Sequence, residues 1–482
     1  MNQKCQIFTP ENIVNKMLDS IGYKEGVFGK RVLENSCGDG NILKVIVKRY
    51  IENALKEGIS LQRIKKGLET DIYAVEIDSK HYKKCLDNLN EISKEFKIYN
   101  VCWNIVNGDS LKIKWKTKFD FIIGNPPYIK YSDIEVETRA FLKERYTSCS
   151  YGKYDYCYAF IEDSIKNLSN SGKMAYLIPN SIFKNVFGNE LRRILLPNLI
   201  EIYDYTVQKI FSQAITSSAI IVVDKEIQTN IIKYHDIYQK RLYNIEKKSL
   251  EGKWIFSFSS KKMLKNKCRF SDYFNASIAI ATLLNKAYVI KEYEMNKDYL
   301  LVGNWKVEKT LIRKAASPKS LMYKKDELII FPYFYKDDGI VRYTPETFER
   351  NFPEATKYLN IFRGKLQKRK AGKNIFWFEY GRTQALQHLN QPKLLLSTVV
   401  TKKVNVYELS TECIPYSGIY ITKKGELELD IAKKILNSQA FYDYVKSIGI
   451  NANGTSIRIT ANDINNFEFE KEEFLIYGKD EI

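Results

Sequence analysis

Between residues 119 and 128 an apolar run, Phe119-Asp-Phe-Ile-Ile-Gly, stops at Asn125-Pro126-Pro127-Tyr128. Two consecutive prolines remove backbone donors and stiffen the loop, so its carbonyl oxygens stay available as acceptors. The Asn125 side-chain oxygen and the Pro126 carbonyl can then accept both hydrogens of one planar amino group, while Tyr128 offers a face for stacking. Holding the hydrogens this way localises the nitrogen lone pair, which an arylamine otherwise lacks as a nucleophile. Asn125, Pro126 and Tyr128 are the candidate catalytic residues.

A second constellation, Glu34-x-Ser36-x-Gly38-x-Gly40, lies between a short apolar run and an amphipathic stretch from Ile42 to Leu55. A glycine-rich turn there lets a ligand approach the backbone at the carboxyl end of the first strand. Ile72-Tyr-Ala-Val-Glu76 also ends in a carboxylate, placed as an acceptor for ribose hydroxyls. Asp109, after a third apolar run, can accept from an adenine amino group. Three acidic tips along one sheet edge suit a cationic nucleoside better than a phosphate-rich one. Gly26-Val-Phe-Gly-Lys30 is too short for a phosphate loop and lacks Ser or Thr after its lysine.

The elements that must hold these groups alternate. Strands are expected at Arg31–Glu34, Ile72–Glu76, Cys102–Val106, Phe119–Ile123, Met174–Ile178, Leu199–Tyr205 and Ser218–Val223, with helical spacing between most of them. That order predicts an α/β, Rossmann-like doubly wound sheet. The last two strands are too close for a crossover helix, so they should form an antiparallel hairpin at one edge. Beyond residue 230 the alternation fails, and aromatics interleave with lysines, as in Phe331–Lys336 and Phe376–Tyr380.

Charge divides the same way. Residues 1–230 carry 33 basic and 28 acidic side chains, against 43 and 29 in residues 231–482. We therefore expect a catalytic domain over 1–235 and a basic, mixed α+β domain that binds a polyanion over 236–482. Tyr358, Leu359, Phe362 and Leu366 recur at helical spacing beside Arg363, Lys365, Lys368 and Arg369. With Arg382, these four cations are the candidate phosphate contacts.

The 482 residues, 44% hydrophobic and 28% charged, give a globular composition. Met1 to Glu11 lacks the basic and apolar regions of a signal peptide, and no run approaches a membrane span. Eight cysteines without a CxxC pair, and only three histidines, predict neither a metal site nor a disulfide framework. A cytoplasmic protein is expected. No GxSxG elbow for a serine hydrolase is present.

Thr9-Pro10, Val32–Gly40, Val75-Glu-Ile-Asp78, Gly108-Asp-Ser110 and Asn125–Tyr128 occur in the order of a known motif series. The series resembles that of the gamma-class (TaqI-type) adenine-specific DNA methyltransferases. Gly152–Asp155, Ala159-Phe160 and Ser171–Pro179 continue it, and Ile210–Ser218 resembles the family's target-base loop. Gly372–Lys393 and Ile435–Ser438 resemble its recognition domain more loosely.

The resemblance implies transfer of the methyl group of S-adenosylmethionine to the exocyclic amino group of an adenine flipped from duplex DNA. It places Phe211 as a second stacking aromatic beside Tyr128. It gives the cofactor to Thr9, Glu34, Ser36, Cys37, Gly38, Glu76, Ile77, Asp109, Ser110, Asn125 and Pro127. It further implies a monomer acting on double-stranded DNA in the nucleoid, as an orphan or beside a separate restriction endonuclease. Glu34 and Ser36 depart from the Asp and Phe of many methyltransferases. Alternatives are a protein glutamine methyltransferase, a non-catalytic DNA-specificity protein and a fused restriction–modification enzyme. The basic back half disfavours the first, and intact Asn125 and Tyr128 disfavour the second. A start at the Thr9-Pro10 motif is expected to leave no room for an N-terminal nuclease.

Overall fold

The apolar runs become strands of one sheet in the computed structural model, which describes residues 9–206, 217–256, 267–337, 339–451 and 456–475. A helix, α1 (Glu11–Ser20), precedes the first strand, β1 (Val32–Glu34). There follow α2 (Asn41–Lys56), α3 (Leu61–Asp71), β2 (Ile72–Glu76), α4 (Ser79–Glu95), β3 (Asn104–Asn107) and β4 (Phe119–Gly124). After α5 (Val136–Arg145) and α6 (Cys157–Asn167) come β5 (Leu168–Pro179), α7 (Asn189–Leu195), β6 (Leu199–Asp204) and β7 (Ser218–Asp224). Two further strands, β8 (Ile231–Asp236) and β9 (Arg241–Glu246), complete a sheet of order β3-β2-β1-β4-β5-β7-β6-β8-β9.

β3, β2, β1, β4 and β5 are mutually parallel, and β7 runs antiparallel to both β5 and β6. The expected β6–β7 hairpin is present, but it is not the edge, because β8 joins β6 in parallel and β9 joins β8 antiparallel. The expected boundary at 235/236 accordingly falls inside β8. The described residues divide instead into one unit up to residue 256 and a second from residue 267 onward. β8 and β9 escape a reading by apolar runs because much of their surface faces solvent.

Side-chain alternation explains why helices cover both faces. Along β5, Ala175 and Leu177 enter one core while Met174, Tyr176 and Ile178 enter the other. The first core is filled from α1 to α4 by residues such as Met17, Leu43, Leu68 and Leu89. The second takes Leu142, Ile161, Leu191 and Leu195 from α5 to α7. Helix α4 starts at Asp78, whose carboxylate accepts from the Lys80 and His81 amides at 2.8 and 3.3 Å.

The second unit is mixed α+β. An antiparallel sheet orders Phe274–Ile278, Ile419–Lys423, Lys393–Leu396 and Val406–Leu409, with helices Leu429–Asn437 and Gln439–Ile448 sharing its core. A second four-stranded sheet contains Ile312–Ala316 and Glu327–Ile330. Among the described residues, no helix is long and apolar enough to cross a membrane.

Candidate active site

Four neighbouring parallel strands deliver their carboxyl ends to one edge of the sheet, and each carries a residue singled out above. Glu34 ends β1, Glu76 ends β2, Asp109 follows β3 and Asn125 follows β4. The glycine-rich turn folds over this edge. Its Cys37 amide donates to the Val75 carbonyl at 3.0 Å, and Gly40 closes the turn with φ +80° before α2 begins. A Cβ at Gly40 would lie 2.7 Å from Cys85 Sγ, whereas one at Gly38 would meet nothing within 4 Å. The chain is thus packed on the helix side of the turn and open beside Gly38.

Asn125 is fixed from three directions. Its Nδ2 donates to Thr9 Oγ1 at 3.2 Å, its Oδ1 accepts from the Tyr128 hydroxyl at 2.7 Å, and its carbonyl accepts from Ser36 Oγ at 3.4 Å. The Tyr128 hydroxyl also lies 2.8 Å from the Leu177 carbonyl, so one proton serves two acceptors. Burial pushes the Tyr128 phenol well above its ordinary pKa, and the nearby Cys157 and Asp155 add to the shift. Tyr128 therefore stays neutral across the working pH range. Burial also raises Asp155 to about 6, against the hydrogen bonds it accepts.

Glu34 is 2% exposed, and its Oε2 has no hydrogen-bond partner. Burial raises its pKa well above the usual range, and Cys85 and Glu76 push in the same direction. A buried carboxyl facing a second carboxylate is the donor set a positively charged ligand would relieve. Glu76 accepts from the Gly38 and Asp78 amides, both at 2.8 Å, so its oxygens hold the turn while each keeps a lone pair for a further donor. Asp109 accepts from the Leu111 amide at 3.1 Å and pairs with Lys112 at 3.6 Å. Ser110 Oγ is buried without a partner, and Ile77 is exposed. Pro126 is buried and Pro127 half-buried beside them. Phe211 lies outside the described residues.

Two groups of residues that support this edge were not read from the sequence. A buried chain links the Asn35 amide, Ser164 and Tyr176: Asn35 donates to Ser164 at 3.0 Å, Ser164 and Tyr176 lie 2.7 Å apart, and Tyr176 donates to Asn35 at 2.5 Å. It ties β1 to α6 and β5 directly beneath the site. Gly124 fits closely there, since a Cβ would lie 3.1 Å from the Tyr176 ring and the ring would have to shift by a few tenths of an ångström. The glycine before Asn125 was the available signal. In the second group, Asp39 binds His81 and Lys84 of α4, both at 2.5 Å. Burial disfavours the Asp39 carboxylate, but these two hydrogen bonds prevail and lower its pKa.

In the second unit the candidate cations separate. Arg363, Lys365, Lys368 and Arg382 are exposed, with the Arg363 guanidinium 4.7 Å from the Trp377 ring centre. Arg369 is a correction. Its guanidinium donates to the carbonyls of Thr282, Leu366, Trp377 and Glu379 and to the Tyr288 hydroxyl. It therefore holds the 377–379 loop in place and has no nitrogen turned to a phosphate. The expected single helix is two short ones, Pro353–Asn360 and Arg363–Gln367, and Arg369 lies beyond the end of the second.

Comparison with known proteins bears on what such an edge does. Residues 40–211 match the model of the Eco57I restriction-modification methylase family. The type II methyltransferase M.BstVI of Geobacillus stearothermophilus is 22% identical over 94% of this chain and 88% of its own length. The chain resembles type II restriction–modification methyltransferases.

The restriction enzyme and methyltransferase RM.Eco57I of Escherichia coli is 23% identical over 84% of this chain, which spans only 50% of that protein. The fold is that of the type IIL restriction-modification enzyme MmeI, solved in complex with DNA. That structure aligns over 96% of this chain and 66% of its own with a TM-score of 0.63 at 14% identity. S-adenosylmethionine is the expected cofactor. Glu34, Glu76 and the open flank of Gly38 fit its cationic, hydroxyl-bearing character.

Proposed function

We propose that this chain is a DNA adenine-N6 methyltransferase that modifies a base flipped out of the duplex. The observation that carries the reading is Asn125-Pro-Pro-Tyr128 at the end of β4, one strand from the Glu34 carboxyl, whose Oε2 has no hydrogen-bond partner. S-adenosylmethionine supplies an electrophilic methyl group when bound. Glu34, Glu76 and Asp109 hold it, with Thr9, Ser36, Cys37, Gly38, Ile77, Ser110 and Pro127 shaping the surround.

The remaining work falls to the chain. An adenine inside a duplex cannot reach the sheet edge, so it must leave the stack, at a cost of a few kcal/mol. Tyr128 and Phe211 return part of that through stacking, about 1–3 kcal/mol per contact. Asn125 Oδ1 and the Pro126 carbonyl accept the amino hydrogens and hold the nitrogen lone pair toward the methyl group. No base is needed beforehand, because the amino proton becomes acidic only once the new carbon–nitrogen bond forms. Arg363, Lys365, Lys368 and Arg382 contact DNA phosphates. The domain with Asn125 is catalytic, the basic one recognises the target, and a monomer in the cytoplasm suffices for both. A cognate endonuclease would be a separate protein.

The test is to incubate the full chain with plasmid and tritium-labelled S-adenosylmethionine, then digest the DNA to nucleosides for mass spectrometry. N6-methyladenine is expected. N4-methylcytosine would overturn the base assignment, label on protein would favour the glutamine methyltransferase, and magnesium-dependent cleavage would reveal a fused enzyme.

A further inference from the structure

The segment following Tyr128 builds a cavity of about 320 Å³ that the chemistry described above does not use. Its walls include Tyr131, Val136, Arg139, Lys143, Tyr151 and Tyr154, and no Asp or Glu lines it. The acids of this stretch, Asp133, Glu135, Glu137 and Glu144, all stay outside the lining. Two cations, three phenol rings and no acid form a surface for an anion joined to a flat ring. That composition describes a nucleotide.

The walls are built rigidly. The Arg139 guanidinium lies 4.6 Å from the Tyr131 ring centre and donates to the Ser132 carbonyl at 3.0 Å, while its Nε is buried without a partner. Tyr131 packs edge-on against Tyr154, whose hydroxyl donates to the Arg139 carbonyl at 3.1 Å. Gly152, at φ +76°, has Phe187 where a Cβ would stand, at 2.0 Å, so only glycine permits this turn. The turn leaves Tyr151 77% exposed at the rim. Tyr151 meets the Phe187 ring edge-on at 6.2 Å and otherwise stands in water, lining the same cavity as Lys143.

The cavity is also tied to the catalytic loop. The Tyr156 amide donates to the Ile129 carbonyl at 2.9 Å, and the backbones of Lys130 and Asp155 pair as an isolated antiparallel β-bridge. Whatever enters beside Tyr128 therefore has this cavity as its neighbour along the chain.

We propose that the cavity receives the nucleotide next to the modified one on the same DNA strand, with its phosphate on Arg139 and Lys143 and its base or sugar against Tyr151. This rests on the reading of the chain as a DNA methyltransferase. Holding the flanking nucleotide would keep the strand open while the target base is out of the stack.

The test uses the full chain with Lys143→Gln and Tyr151→Ala, singly and combined, because Arg139 also supports the fold. Binding of a fluorescein-labelled duplex is followed by anisotropy across a salt series. The combined variant should bind roughly tenfold more weakly, with the slope of log affinity against log salt reduced by about one. Cofactor affinity and melting temperature should match the parent. Parental affinity and slope in a variant whose parent methylates DNA would overturn the inference and leave the enzymatic reading standing. A parent that neither binds nor methylates DNA would remove both. Tight binding of a fluorescent AMP analogue, lost in Lys143→Gln, would assign the cavity to free nucleotides and overturn the strand proposal.

Discussion

Two buried glutamates, one in each unit, meet opposite fates. Glu379 is completely buried and accepts from Arg342 Nε and Nη2 at 2.7 and 2.6 Å and from the Phe376 amide at 2.8 Å. Glu34 is almost as deeply buried, yet one of its oxygens has no donor. The same contrast extends to cations. Lys393, 1% exposed, donates to three carbonyls, of Ser410, Thr411 and Cys413, and burial lowers its pKa to about 8. A buried charge with all its partners fixes a loop, whereas one short of a partner at a strand tip marks a ligand position. Net charge alone hides this distinction, since Arg369 and Lys393 add to the basic balance of the second unit while facing inward.

The contrast can be broken most sharply at Asn125, which is polar and partnered yet assigned to turnover. Asn125→Ala should reduce methyl transfer roughly a thousandfold or more, with duplex binding and melting temperature unchanged. Label incorporation beside a gel-shift titration reads both, and normal turnover would remove Asn125 from the chemistry.

The second unit predicts a loss of stability instead. Arg342→Leu would put Glu379 in the condition of Glu34, without the ligand, and should destabilise by about 3–5 kcal/mol. Urea unfolding monitored by circular dichroism measures it. An unchanged midpoint would mean that the pair does not fix the loop.

Glu34→Gln should do the reverse. Cofactor affinity by calorimetry should fall about tenfold, because one charge-assisted hydrogen bond is lost. Stability should be equal or higher, since a buried acid that resists ionisation is gone.

The smallest effect concerns protons. A cationic ligand favours ionised Glu34, whose pKa is raised in the free protein, so binding should release protons where Glu34 is still protonated. Affinity should accordingly rise with pH and level off once free Glu34 ionises. Calorimetry in buffers of different ionisation enthalpy counts those protons, and none released at any pH would show that Glu34 is not the carboxyl involved. By the same sign, ionising Glu34 costs the free fold stability, a cost that grows as pH rises above the ordinary carboxyl range.

Much of the first unit was legible because parallel strands buried on both faces leave unbroken apolar runs, as at Ile72–Glu76 and Phe119–Gly124. Their carboxyl tips then place Glu34, Glu76, Asp109 and Asn125 on one edge by topology alone. β8 was illegible because alternating exposure leaves only Ile232 and Tyr234 buried in it. The Asn35–Ser164–Tyr176 chain joins residues from three distant elements, and no local pattern announces such a contact. Arg369 was misjudged for a related reason. Spacing gives a cation's face on a helix, but not where the helix ends, and Arg369 falls past the end at Gln367, where no helical face applies.

The Tyr128 hydroxyl, poised between Asn125 Oδ1 and the Leu177 carbonyl, has a bearing on how the site engages a newcomer. When another donor approaches Asn125, the phenolic proton can swing to the strand carbonyl. The tyrosine changes partner without ever losing one. Asn125 Oδ1 can thus turn to a new donor while the Tyr128 hydroxyl keeps the Leu177 carbonyl, so the exchange leaves no buried phenol unsatisfied.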